Sequence, residues 1–455
     1  METYDLIMIG GGPAGYLAAE RAAAGGLKTL LYEERALGGV CLNEGCIPSK
    51  ALLHSAKVFE YASAGEKYGV TARDVKLDHA AVMARKNKVV RQLVAGIDAS
   101  MKKLGVAVRP ERAEITGRDG PLFTVRSASG EAAGRRLLIA TGSVPILPPI
   151  PGLDKALATG FAATSREILE LETLPQSMTV IGGGVVGLEM ASYYCRAGVK
   201  VTVIEMLDKI AGPIDEEISK LLLAGCKKAG IDFKLSSKVT AVGDDSVVYA
   251  DAAGTHTLET QKVLVSIGRK PVTEGFGLEK LGVYCDKGAI VTDDHMRTNV
   301  DGVYASGDVN GISMLAHTAY RESEVAVNHM LGVKDRMDYS AIANVIYTNP
   351  EVACVGETLA GAAAKGIDAK CVTASMRLSG RYMAEVEGGN GIAKIVVNKK
   401  TNHLIGVHLI GSYASEMIFG AALMLETRFT PDRLKQLVFP HPTVGEVIRE
   451  ALFEI

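Results

Sequence analysis

A glycine pattern written twice constrains this chain more than any other feature. An apolar run at residues 4–9 leads into Gly10-Gly11-Gly12-Pro13-Ala14-Gly15. An alanine-rich stretch follows to Gly25-Gly26, and a second apolar run, 28–32, ends at Glu33. Strand, glycine turn, helix, strand and acid form the fingerprint of a dinucleotide-binding unit. Gly10 permits the tight turn, Gly12 lets backbone approach a pyrophosphate, and Gly15 lets helix and strand pack closely. The helix amino terminus favours phosphates, and Glu33 can accept from ribose hydroxyls. The pattern returns as a strand at 178–181, then Gly182-Gly183-Gly184-Val185-Val186-Gly187, a helix, Gly198, a strand at 200–204 and Glu205. Gly10, Gly15, Gly26 and Glu33 map onto Gly182, Gly187, Gly198 and Glu205 with a single displacement of 172 residues. One such motif is a weak signal, but four landmarks in one register are not accidental. The chain carries two dinucleotide-binding units.

At 455 residues the chain is too long for one core, and two to four domains are expected. A formal net charge of −2 gives no nucleic-acid signal. Hydrophobic content of 47% with 50 glycines suits an α/β protein rich in tight turns. No apolar run reaches the ~20 residues of a membrane span. The amino terminus enters its strand at once, without a basic region and cleavage site, so a cytoplasmic location is expected. Seven cysteines, mostly isolated, do not make a secreted disulfide framework. No second Cys pair or His cluster completes a zinc site, so no metal is expected.

Two of those cysteines lie in residues 38–50, GGVCLNEGCIPSK. On a regular helix, residues five apart are roughly 8–9 Å apart, whereas a disulfide needs Cα atoms within about 4.4–6.8 Å. If Cys41 and Cys46 bond, the backbone must leave the ideal helix. Gly45 gives that freedom, and Pro48 is expected to prevent return to a regular ladder. Short constrained bridges tend to be labile. The bare C-x4-C spacing is equally that of two buried cysteines near a turn. The chain ends its chemistry at 439–446, FPHPTVGE. Thr443 to Glu446 reads as a capping box for the last helix. His441, held rigidly between two prolines with a carboxylate nearby, also has the layout of a general base oriented by an acid.

The GGVCLNEGCIPSK run, the paired glycine fingerprints, TNVDGVYASGD at 298–308 and HPTVGE at 441–446 resemble the flavin-dependent disulfide reductases of the pyridine nucleotide-disulfide oxidoreductase family. The resemblance runs along essentially the whole chain and is nearest to the members that oxidise dihydrolipoamide. It implies FAD on the first unit and NAD on the second. It makes Cys41–Cys46 a redox disulfide, with Cys41 facing substrate and Cys46 facing flavin, and His441–Glu446 the acid-base pair, with a cis bond before Pro442. It places Lys50 near the reactive edge of the flavin, with Glu189 as its partner, and Ala113 where the chain passes the adenine. Thr141-Gly142-Ser143 would cross under the flavin dinucleotide, and Asp308 would bind the ribityl hydroxyls. Met314, Leu315, Ala316 and His317 would open a helix aimed at the flavin ring, and Val239 and Gly268 would line the NAD site. Glu205 suits NAD, because a carboxylate there bonds a ribose 2′-OH and repels a 2′-phosphate. The chain departs from the family at Glu44, where a small apolar or basic residue is expected, and at Glu111, which replaces a glycine.

The expected fold class is α/β, with two Rossmann-like dinucleotide-binding domains and a carboxyl-terminal α+β dimerisation domain. A stiff proline-rich connector at 145–151 marks a boundary. Residues 1–147 and 269–333 form the FAD domain, 148–268 the NAD domain, and 334–455 the interface domain, with strands at 392–397 and 404–410 and helices at 415–426 and 446–453. The implied activity is oxidation of protein-bound dihydrolipoyl groups with reduction of NAD, in a 2-oxoacid dehydrogenase-type complex. The implied partners are a lipoylated carrier or acyltransferase core on another chain and a second copy of this one, whose histidine acts in trans. A glutathione-type reductase would want arginines near Glu205, and a mercuric reductase a cysteine beyond Cys371. A non-catalytic NADH-sensing subunit would not need both cysteines and His441.

Overall fold

Leu6–Ile9 and Thr29–Tyr32 bury every side chain, as strands covered on both faces must. In the computed structural model, which describes residues 1–455, they are the middle of a five-stranded parallel sheet. Its order is Val303–Ala305, Leu137–Ile139, Leu6–Ile9, Thr29–Tyr32, Ala107–Arg109. Register brings Ile9 level with both Tyr32 and Ile139, and Ile139 level with Ala305. The residues that follow each strand, Gly10, Glu33, Ala140 and Ser306, therefore emerge together at the carboxyl edge, where ligands of open α/β sheets bind. This sheet belongs to a unit formed by Met1–Ala51, Met83–Ile146 and Gly268–Asp338. Within it the helix Pro13–Ala24 packs on Ala316–Met330, joined by the Tyr16 and Tyr320 hydroxyls at 2.5 Å and by Ser323 donating to the Ala14 carbonyl at 2.9 Å.

The second unit comprises Leu52–Val82, Leu147–Ile267 and Tyr339–Ile455. It repeats the parallel arrangement with Ala162–Ala163, Lys262–Val265, Ser177–Ile181, Lys200–Ile204 and Asp232–Lys234, in that order. Ile181 is level with Ile204 and Val265, so Gly182, Glu205 and Ser266 share one edge. A three-stranded antiparallel sheet, Lys238–Val242, Ser246–Asp251 and Gly254–Glu259, adjoins it and carries Val239.

The same unit holds a five-stranded antiparallel sheet ordered Ala343–Ile346, Glu351–Gly356, Leu404–Gly411, Ile392–Asn398, Ala369–Ser375. One face supplies Val355, Ile395, Val407 and Leu409 to a core closed by the helices Ala414–Glu426 and Glu446–Phe453. The opposite face carries a polar row among apolar neighbours such as Val352 and Ile410. Cys354, His408 and Lys394 stand side by side across three strands. Lys394 reaches Asp215, the amino-terminal cap of the helix Glu216–Lys228, at 2.8 Å, and Glu217 at 3.1 Å. His408 donates from Nε2 to the Glu357 carbonyl at 2.9 Å. No helix is long and apolar enough to cross a membrane.

Lys394 and Asp215 are largely buried, with side-chain exposures of 13% and 10%. Burial pushes the Asp215 carboxyl up, but the hydrogen bond and charge of Lys394 outweigh it and hold the carboxyl below its ordinary value. Removing Lys394 leaves the buried Asp215 carboxylate with only the amides of Glu217 and Ile218. We expect Lys394→Met to lower unfolding free energy by about 2–4 kcal/mol at neutral pH in a urea titration. In the unmutated protein the Asp215 share is full above the ordinary carboxylate range and is lost as pH falls through its depressed value. The difference between variant and wild type therefore shrinks in acid.

Candidate active site

Cys41 lies in the short helix Gly39–Glu44, and Cys46 begins the helix Cys46–Ser63. Gly45 between them takes φ −149° and ψ −105°. The break falls at this glycine and not at Pro48, which sits in the first turn of the second helix. There a missing N–H costs nothing, because the first four amides have no helical acceptor. The two Cα atoms come to 4.7 Å and the sulfurs are joined, within disulfide geometry.

The two glycines that precede the pair explain where it stands. Gly38 donates to the Gly11 carbonyl at 2.8 Å. Gly39 has φ +54°, and a Cβ on it would lie 2.6 Å from the Gly12 Cα. The disulfide segment is therefore seated on the first glycine loop by a backbone contact that no side chain could share. Glu44, which departs from the family's pattern, accepts from the Arg35 guanidinium.

Both glycine loops have the same packing. A Cβ on Gly10 would stand 2.2 Å from the Ala140 carbonyl oxygen, and one on Gly15 1.7 Å from that of Gly10. At Gly182 and Gly187 the corresponding distances are 2.7 Å from Ser266 and 2.3 Å from Gly182. The middle glycines differ. Gly184 has nothing within 4 Å, and Gly12 meets only Gly39 at 3.8 Å. Outer glycines packed by backbone and a middle glycine open beside a helix amino terminus make a cradle that fits a pyrophosphate. The acids repeat as closely. Glu33 accepts from Gly11 N at 2.7 Å and Arg35 N at 2.8 Å. Glu205 accepts from Gly183 N at 2.6 Å and Leu207 N at 2.8 Å. Each carboxylate is held by two amides and keeps acceptor sites for a ribose. Glu33 also borders a cleft of about 330 Å³ lined by Arg35, Leu37, Lys102 and Val108.

Residues distant in sequence meet at the edge of the first sheet. The Ser143 hydroxyl donates to Asp308, and its oxygen accepts from Arg269 Nε at 2.7 Å. Arg269 also binds the Ser143 carbonyl at 2.7 Å, and Thr141 donates to the Val272 carbonyl at 2.6 Å. Burial lowers the pKa of Arg269, opposed by the charge of Asp308. Sequence reasoning missed Arg269, whose only signal was its place in the Gly268-Arg269-Lys270-Pro271 run. It also missed Glu322, fully buried, which accepts from Gly307 N at 2.6 Å and so fixes the turn before Asp308. Met314 and Leu315 precede the helix Ala316–Met330, which Ala316 and His317 begin with no acidic residue in the first turn. Lys50 is half-buried on the Cys46–Ser63 helix. Ala113 is buried with Ile9 and Ile139, Val239 is buried behind Ile181 and Ile204, and Gly268 has φ +125°. Glu189 is buried and accepts from Tyr347 N at 3.0 Å.

In the second unit His441 precedes Pro442 through a cis bond. Its Nδ1 is 2.9 Å from Glu446 Oε1, while Glu446 Oε2 accepts from Thr443 N at 2.9 Å. The expected capping box is only half formed. Gly445 is the cap residue, and the Thr443 hydroxyl turns to the Pro440 carbonyl. The Thr443 amide and then His441 hold the Glu446 carboxyl below its ordinary value. An ionised Glu446 requires the proton on Nδ1, which leaves the His441 Nε2 lone pair facing outward from an exposed ring.

Two dinucleotide cradles, a disulfide seated on one of them and a carboxylate-oriented histidine define a nucleotide-dependent disulfide oxidoreductase. Comparison with known proteins agrees. Residues 4–323 match the family described as pyridine nucleotide-disulphide oxidoreductase, and residues 342–452 match its dimerisation domain. Dihydrolipoyl dehydrogenase of Bacillus subtilis is 39% identical, covering 98% of this chain and 97% of that protein. The mitochondrial dihydrolipoyl dehydrogenase of Pisum sativum is 38% identical over 98% and 90%. Among solved structures, LpdA of Mycobacterium tuberculosis superposes with a TM-score of 0.88 at 26% identity, covering 100% and 99% of the two chains. The chain belongs to the pyridine nucleotide-disulphide oxidoreductase family.

The amide-held Glu205 leads to an expectation about cofactor choice. The protein should bind NADH far more tightly than NADPH, and Glu205→Ala should narrow the gap about tenfold or more by removing both the 2′-OH acceptor and the repulsion of a 2′-phosphate. Fluorescence titration of both nucleotides measures it. Equal affinity in the unmutated protein would refute the assignment.

Proposed function

We propose that this protein oxidises protein-bound dihydrolipoyl groups to lipoyl and reduces NAD to NADH, as the flavoprotein component of a 2-oxoacid dehydrogenase or related complex. The observation that carries this reading is the Cys41–Cys46 disulfide seated on the Gly10–Gly15 loop, in a chain 36–39% identical over nearly its whole length to dihydrolipoyl dehydrogenases. Residues 1–147 and 269–333 are assigned to the FAD domain, 148–268 to the NAD domain and 334–455 to the interface domain. Gly10, Gly12, Gly15, Glu33, Lys50, Ala113, Thr141–Ser143, Asp308 and Met314–His317 would hold FAD, and Gly182, Gly184, Gly187, Glu205, Val239 and Gly268 would hold NAD. Bound FAD supplies the two-electron relay between the cysteine pair and NAD.

The chain's own residues carry the thiol chemistry. His441 Nε2 takes the proton of one substrate thiol. The resulting thiolate attacks Cys41 Sγ, the Sγ–Sγ bond breaks, and Cys46 leaves as a thiolate. The second substrate thiol then attacks the substrate sulfur of the mixed disulfide as its proton passes to the departing Cys41 sulfur. Cyclic lipoyl disulfide leaves, and Cys41 is released. Two electrons now rest on the cysteine pair, and Glu446 has held the Nδ1 proton of His441 and balanced the charge of its imidazolium. Turnover of dihydrolipoamide with NAD, against no turnover of glutathione disulfide or mercuric ion, tests this assignment.

The functional enzyme is proposed to be a cytoplasmic homodimer in which His441 of one subunit serves the cysteine pair of the other. The dimerisation-domain match supports this, as do apolar side chains standing in water on the same region, with Phe419 75%, Leu423 53% and Val438 96% exposed. A base must come within about 3 Å of its proton, so two inactive variants can share one competent site. Cys41→Ser and His441→Ala should each be inactive alone, and a mixture after subunit exchange should regain roughly a quarter of wild-type turnover, since half the dimers are mixed and each has one intact site of two. Verified exchange without recovery, or a fully active monomer, would rule out the trans arrangement.

A further inference from the structure

We propose that Arg35 and Glu44 are a pair of positioning residues that sets how readily the Cys41–Cys46 disulfide is reduced. The inference rests on the reading of that pair as redox-active. Cys41 and Glu44 stand three residues apart on the helix Gly39–Glu44, so they share one face with Cβ atoms about 5–6 Å apart. Glu44 is also two residues from Cys46, inside the loop that the disulfide closes. Its side chain is only 15% exposed, so water screens its charge poorly. Arg35 meets it from the other side and donates to its carboxylate.

Arg35 is itself held in place. Its amide donates to Glu33 Oε1 at 2.8 Å, and Glu33 Oε2 holds Gly11 N at 2.7 Å. A line of contacts thus runs from the first glycine loop through Glu33 and Arg35 to Glu44 and the helix that carries Cys41. Arg35 also lines the cleft beside Glu33, so one side chain borders both the nucleotide cradle and the redox segment.

Reduction by a dithiol breaks the Sγ–Sγ bond, moves two electrons onto the sulfurs and oxidises the dithiol to its cyclic disulfide. The proton of one thiol passes to solvent when the reduced pair holds a thiolate. The Glu44 carboxylate next to Cys41 opposes that thiolate, and the Arg35 guanidinium favours it. As a pair they cancel, so removing either partner moves the equilibrium in opposite directions.

The test is equilibration of the FAD-loaded protein under argon with graded ratios of reduced to oxidised dithiothreitol, followed by acid quench, alkylation and thiol counting by mass. Glu44→Gln should shift half-reduction to a less reducing ratio by about two- to fivefold, and Arg35→Met to a more reducing ratio by a similar factor. The double variant should return to within about twofold of wild type, as should Arg35→Lys, which keeps the charge. A merely structural pair would move both single variants the same way, because each would loosen the same helix. Shifts of one sign, or no shift in a reducible wild type, overturn the proposal while leaving the disulfide reading intact. A wild-type disulfide that resists every ratio overturns the redox reading and this inference with it.

Discussion

The contact of Gly39 on Gly12 is the constraint on which the site depends. Backbone lies against backbone there, and a Cβ on Gly39 would fall 2.6 Å from the Gly12 Cα. One side of the Gly12 loop is a phosphate cradle, and the other is the seat of the disulfide segment. Electron transfer between a cysteine pair and a bound dinucleotide needs the two within contact range, and a flexible tether would not hold them there. Here the distance is set by the absence of two side chains. The two chain conformations involved, φ +93° at Gly38 and +54° at Gly39, are cheapest for glycine.

The rest of the first unit serves the same edge. Level strand ends bring the glycine turn, Glu33, the Thr141–Ser143 turn and Asp308 to one line. Buried polar groups then lock the line in place. Glu322 holds the Gly307 amide, Ser306 meets Ser323 at 2.9 Å, and Arg269 ties Ser143. Polar groups this deep are costly unless satisfied, so the network fixes one arrangement of segments that are otherwise far apart along the chain. The second unit uses the same device at its antiparallel sheet, where Lys394 and His408 form a polar row and Lys394 reaches Asp215. Burial lowers the pKa of His408, partly offset by its bond to Glu357, so this face is built to stay neutral at the histidine.

The histidine–glutamate pair shows how one carboxylate can serve fold and chemistry together. Glu446, the first residue of the last helix, fixes the turn before it by accepting from the Thr443 amide and orients His441 with its other oxygen. Of the capping box read in TVGE only the Glu446 half forms, and it coexists with the acid-partner role. The four acceptor sites of a carboxylate allow both.

Periodic and local features of this protein were legible in its sequence. The paired glycine fingerprints, the acids that end the second strands, the strand Lys200–Ile204 and the last helix Glu446–Phe453 all follow from glycine spacing, apolar runs and helix signals, because each depends only on neighbours along the chain. The pinch between the cysteines and the part of Gly45 in it were legible too, since helix geometry alone forbids the bond, but the part given to Pro48 was misjudged, because a proline is harmless in a first turn. Only tertiary structure could decide the partners of charges. Arg35 on Glu44, Arg269 on Ser143 and Lys394 on Asp215 join residues 9, 126 and 179 positions apart. Nothing in local spacing encodes such pairings, because they are selected by the register of sheets and by the cost of leaving a charge without a partner.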